Sequence, residues 1–261
     1  MLSKLLRHEI NATARLLVPL YLILLFLSIV DRIVLRLTIF NGVLQVIPGI
    51  FTFMYVMTII TIIIVTVLLM IMRFYKNLLS DEGYLMFTLP VKTHQIITSK
   101  LLVAVFWAIV SFLAVFISIF FVAAEPNSLL NLWTHMKSSL GAIRAEFGSN
   151  YIVFTVEMLA MALLGLIYFI LNVYTAIAVG QLFHNHKIIG SVGAYIGINT
   201  AVQTIATIII MMLGYFVHIS MNDINAIPEF ILPMFLLFLL VFNIIFYSVT
   251  KYLFQKKLNL E

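Results

Sequence analysis

Cysteine is absent from the 261 residues, and only 10% of them are Asp, Glu, Lys or Arg. Without cysteine there are no disulfides, thiolate nucleophiles or cysteine-ligated zinc, although the compartment stays open. Soluble domains carry about a quarter charged residues, so the shortage of charge excludes a water-soluble enzyme and a disordered chain. Three motifs are missing as well. There is no G-x-x-x-x-G-K-[ST] loop to cradle a nucleotide's phosphates, no H-E-x-x-H for a metalloprotease and no G-x-S-x-G for a serine hydrolase. His184-Asn185-His186 is the one close histidine pair, and with no carboxylate or third ligand beside it in sequence it reads as a polar turn rather than a metal site. No catalytic residue, metal or cofactor is therefore expected in this chain.

Apolar residues fill the gap: they make up 64% of the chain, and the mean hydropathy is +1.17. With about 20 residues needed per crossing, a chain of this length holds six or seven spans and no separate soluble domain of useful size. The apolar runs are Leu16–Leu35, Pro48–Met72, Leu101–Ala124, Tyr151–Gln181, Ile188–Val217 and Phe230–Val249, all read as helices. The uninterrupted part of the first, Leu16–Val30, is too short to cross at 1.5 Å per residue, so that helix must continue through Asp31 and Arg32.

Six crossings place both termini on one side. Lys4, Arg7, Arg15, Arg73, Lys76, Lys92, Lys100, Lys187, Lys251, Lys256 and Lys257 share it, against Arg32, Arg36, Lys137 and Arg144 on the other. Basic residues accumulate in cytoplasmic loops, so both termini are expected in the cytoplasm and the basic pI of about 9.4 is a topology signal rather than a sign of nucleic-acid binding. A bacterial cytoplasmic membrane suits this composition.

The expected fold class is all-α polytopic: a single transmembrane domain over 1–261. It divides into an amphipathic interfacial helix (1–15), spans one and two (16–72), a cytoplasmic loop (73–100), span three (101–124), an external amphipathic helix (125–150), spans four and five (151–217), an external loop (218–229), span six (230–250) and a cytoplasmic tail (251–261). Leu2, Leu5, Leu6 and Ile10 recur at helical spacing in the first segment, with Lys4 and Arg7 available for head groups. No small-residue cleavage site follows, so a retained helix is expected rather than a signal peptide. In 125–150, Leu129, Trp133, Met136, Leu140, Ile143 and Phe147 form one helical face, set near head groups or capping the bundle.

The cytoplasmic loop mixes charge with more large apolar residues than a solvated connector carries. Ser80 followed by Asp81 and Glu82 supplies an N-cap and first-turn acids, Gly83 weakens a long helix, and Pro90 supplies a stop. Two readings stand: a helix across the membrane face that meets a partner, or a helix buried against the bundle's own ends. Within the spans, Glu157 lies about 10 Å deep, either a functional acid or a structural carboxyl. Gly193 and Gly197 have the G-x-x-x-G spacing of close helix packing. Asn199, Gln203 and Thr207 share one face, lining a path or bonding to neighbouring helices; Thr58 and Thr61 are weaker path candidates, since threonine can bond its own backbone.

The run YKNLLSDEGYLMFTLPVKTHQIITSKLL, within Phe74–Trp107, resembles the first cytoplasmic loop of permease subunits of bacterial ATP-binding cassette exporters of the second type. KLLRHEINATARLLVPLY resembles that family's amphipathic first helix and first span, and the six-span plan agrees across the chain. The resemblance implies a subunit that works with a second permease, identical or related, and with two separate ATPase subunits that bind ATP and magnesium. It implies a coupling helix seated in a cleft on the ATPase, carried here by Ser80, Asp81, Glu82, Gly83, Tyr84 and Leu85, and ended by Thr88, Leu89 and Pro90. Asp81 and Glu82 would meet donor groups, while Tyr84 and Leu85 would fill a pocket. It also implies that spans two and five line the path. Unlike the larger eukaryotic relatives, this chain has no large external domain and no fused ATPase.

The expected function is thus one half of an alternating-access path for ATP-driven export of an amphipathic or hydrophobic cargo, such as a peptide. Two other classes compete: a proton-coupled carrier using Glu157, and a membrane scaffold or immunity protein that does not transport.

Overall fold

The computed structural model describes residues 2–37, 46–79, 93–123, 128–183, 186–217 and 227–256. They form α1 (Leu2–Arg36), α2 (Val46–Leu79), α3 (Thr93–Ala123), α4 (Ser128–Phe147), α5 (Tyr151–Gly180), α6 (Lys187–Val217) and α7 (Leu232–Lys256), with no strand among the described residues. A 3-10 turn, Gly148–Asn150, joins α4 to α5, and a π-helical turn, Ile227–Ile231, opens α7. Hydrocarbon offers no partner for backbone N–H and C=O groups, so apolar runs of this length close those bonds internally. Six helical runs are long and apolar enough to cross a membrane, the fourth counting α4, its turn and α5 together. The chain is a multi-pass membrane protein.

The helices outrun the apolar spans. The first does continue through Asp31 and Arg32, and it ends at Arg36. At its other end it reaches Leu2 without a break, so the expected interfacial helix is no separate element but the first turns of α1. Leu6 and Ile10, assigned to the apolar face of that segment, pack against the core of the first three helices. Likewise α2 runs past Met72 to Leu79, and α3 begins at Thr93, well before Leu101.

The chain divides into two compact units. The first contains α1, α2 as far as Phe74, and α3 from Gln95. Its core is Leu17, Tyr21, Leu24, Tyr55, Ile62, Val103 and Trp107, with Tyr21 and Trp107 in ring contact at 6.2 Å. Side-chain contacts join residue 9 to 73 and 100, 21 to 111, and 31 to 52, so the three helices run up, down and up.

In the second unit α5 packs against both α6 and α7. The last third of α5, from Ile170 to Gly180, is almost wholly buried. A Cβ on Gly180 would strike both the backbone and the hydroxyl of Ser191, so α5 and α6 meet there at a distance only glycine permits. Gly148, with φ 54°, occupies the left-handed region that ends α4, and the rings of Phe147 and Phe154 stack at 4.2 Å across that turn.

Outward-facing side chains are apolar on both units: Phe112 is 69% exposed and Leu237 65%. Such a surface is far too apolar for water, whereas lipid tails cover it without penalty. The helix expected in 125–150 is present as α4, and Trp133, Met136 and Leu140 on its apolar face are exposed, while Phe147 is buried.

Candidate functional site

Most of the buried polar residues of the first unit lie on one seam. On α1 the positions turned inward are Glu9, Thr13, Leu17, Tyr21, Leu24, Ser28 and Asp31, separated by three or four residues, so each falls one turn above the last. On α3 the corresponding face carries Lys100, Val103, Trp107, Ser111 and Ser118, and on α2 it carries Tyr55, Ile62 and Thr66. Polar and apolar layers therefore alternate along the interior.

At one end Glu9 is the centre of an ion cluster. Lys100 Nζ donates to Glu9 Oε1 at 2.8 Å, and Arg73 Nη1 donates to Oε2 at 3.3 Å. The side chains of Glu9 and Lys100 are 5% and 3% exposed, while that of Arg73 is 27% exposed. An isolated charge at such depth is strongly unfavourable, and each of these ions is tolerated because the other is present. The middle layer joins all three helices through hydroxyls: Tyr21 Oη and Ser111 Oγ lie 2.7 Å apart, and Ser111 Oγ and Thr66 Oγ1 2.9 Å apart. Beyond it, Tyr55 Oη and Ser118 Oγ are 3.0 Å apart. At the far end Thr52 Oγ1 donates to Asp31 Oδ1 at 2.8 Å, and Asp31 Oδ2 is buried with no hydrogen-bond partner among the described residues. Arg32, the next residue, turns away to bond the Phe121 carbonyl and stack on its ring. Glu9 and Asp31 are 22 positions apart, about 33 Å of helix, close to the ~30 Å of a hydrocarbon core.

The second unit has a smaller polar centre. Thr175 Oγ1 on α5 lies 3.0 Å from Thr250 Oγ1 and 3.2 Å from the Phe246 carbonyl on α7. Asn243 Nδ2 donates to the Leu164 carbonyl, and Asn172 Nδ2 donates to Asn199 Oδ1 at 3.0 Å. These bonds join α5 to both of its neighbours.

The structure separates the residues singled out from sequence. Ser80, Asp81, Glu82, Gly83, Tyr84, Leu85, Thr88, Leu89 and Pro90 lie outside the described residues. Asn199 is turned into the contact between α5 and α6, whereas Gln203 and Thr207 are exposed. The hydroxyls of Thr58, Thr61 and Thr207 each bond the carbonyl four residues back, at Met54, Met57 and Gln203. Among the described residues nothing comes within 4 Å of a Cβ placed on Gly193 or Gly197, and the close-packing glycine of α6 is instead Gly190, against Phe183. Glu157 is half-buried, and its Oε2 has no hydrogen-bond partner among the described residues.

Sequence reasoning did not find the Glu9, Arg73, Lys100 cluster or the Asp31–Thr52 pair. Glu9 and Asp31 do stand in the helical register of Leu17, Tyr21 and Leu24, and that periodicity was the available signal. Among the described residues no group of three His, Asp or Glu could hold a metal ion. No family model matches the chain, and neither a curated protein nor a solved structure is found similar to it.

Proposed function

We propose that this chain is the membrane permease subunit of an ATP-driven exporter of the ATP-binding cassette type, supplying half of an alternating-access path. The observation that carries the reading is the run from Tyr75 to Leu102, whose Ser-Asp-Glu-Gly-Tyr-Leu core resembles the coupling loop of such permeases, set in a chain with six membrane-length helices. The helices on either side suit a force-receiving loop: α2 and α3 both extend beyond their apolar spans toward it, and both carry a cation of the Glu9 cluster. In this reading ATP and magnesium are held by two partner ATPase subunits, and a second permease, identical or related, completes the path. Both termini and the loop face the cytoplasm of a bacterium. The cargo is amphipathic or hydrophobic, a peptide being the leading class, since the spans carry few charges to solvate an ion.

Alternating access then needs two arrangements of the helices, with nucleotide state selecting between them through the loop. Co-purification is the test. The chain should bring down an ATPase encoded beside it, and Tyr84→Ala with Leu85→Ala should abolish that association. Full association and full ATPase stimulation in the double variant would refute the coupling assignment. Proton-driven transport without ATP, lost in Glu157→Gln, would replace it with the carrier reading.

A further inference from the structure

The Glu9 cluster draws on three separate stretches of chain: the third turn of α1, the end of α2 and the start of α3. Arg73 on α2 and Lys100 on α3 lie on either side of the segment 80–92 in the chain, and one carboxylate engages both. Glu9 and Lys100 are almost completely buried, and a buried ion pair is poor evidence of stability, because two apolar side chains of similar size hold such a site as well or better. What such a pair does supply is register: only one placement of the three helices leaves no charge unpaired. The apolar contacts around it, Leu6 and Ile10 against the core, permit sliding in a way that two directed ion contacts do not.

On the reading of the loop given above, we propose that Glu9 is a positioning residue that locks the first turns of α1 to both helices flanking segment 80–92, so that these three move as one body. Because α1 is unbroken from Leu2 to Arg36, displacement of those flanking helices is delivered through Glu9 to the whole of the first helix. The carboxylate acts through the side chains it engages, Arg73 and Lys100 among them.

The chain has no cysteine, so spin labels can be placed at Lys4→Cys and Met72→Cys, both exposed, without removing native thiols. Distances are measured in the full complex with its ATPase, without nucleotide and after trapping with ATP and vanadate. The lock predicts one narrow distance in both states. Glu9→Leu with Lys100→Met removes both buried members of the cluster together and leaves Arg73, the more exposed one, in place. That variant should stay folded and bind the ATPase, yet show a broadened distance that shifts between the two nucleotide states. Exchanging the charges, Glu9→Lys with Lys100→Glu, should restore the narrow distance.

A wild-type distance that changes with nucleotide overturns the proposal, as does a double variant as narrow as wild type in both states. Failure of the wild-type chain to bind any ATPase overturns the permease reading instead, and with it the coupling role. Persistence of the narrow distance in the isolated chain would then leave only a static clamp.

Discussion

Lys100 illustrates how little a residue's type says about its surroundings in a membrane protein. By hydropathy it is the basic flank of a span, yet its ammonium is buried against Glu9 at 2.8 Å. Lys100→Met alone should lower stability by about 3–5 kcal/mol, because it takes the buried cation away from the Glu9 carboxylate; adding Glu9→Leu should recover most of that loss. Thermal unfolding in detergent micelles distinguishes the two. The hydroxyl layer is a milder case. Tyr21→Phe keeps the ring against Trp107 and removes the hydroxyl from the layer it forms with Ser111 and Thr66, so a loss of about 0.6–1.7 kcal/mol is expected in the same assay. These partners were not legible because Tyr21 and Ser111 are 90 positions apart, and an apolar neighbourhood in sequence does not say whether lipid or another helix will face the side chain.

At the scale of elements, the helices themselves were legible and their packing faces were not. Apolar runs and their length suffice to place a helix in lipid, and helices of spanning length are present over all six runs, although α1, α2 and α3 extend well past the apolar bounds. The G-x-x-x-G spacing at Gly193 and Gly197 looked like the close contact of α6, but the close contact is at Gly180 and Gly190, on either side of the turn between α5 and α6. Spacing reports a narrow groove on a helix, whereas only the neighbour's position decides whether the groove is filled. Gly180→Ala should therefore force Ser191 away and cost about 1–3 kcal/mol of thermal stability. Gly193→Ala and Gly197→Ala should leave the isolated chain's unfolding temperature unchanged or raised. If those two substitutions instead weaken association between copies of the chain, read by crosslinking in the membrane, that groove belongs to an interface between copies.

For the whole molecule, the topology expected from basic residues can be checked with single cysteines. A membrane-impermeant maleimide should label Ser139→Cys in intact cells, and Lys4→Cys only after the membrane is opened; the reverse pattern would invert the orientation. Composition by itself determined that this is a membrane protein of about six helices, since 64% apolar residues in runs of spanning length admit hardly any other solution. It also pointed to a loop rich in large apolar side chains between spans two and three. Only the tertiary structure decided that the first helix is continuous, and that its inward face carries a polar seam from Glu9 to Asp31. It decided too that the two helices flanking the loop converge on a single carboxylate. The physical reason is that hydropathy is a local property, equally satisfied by lipid and by protein. Pairing of charges is non-local: Glu9 finds Arg73 and Lys100 across 64 and 91 positions of chain, and only after three helices have packed.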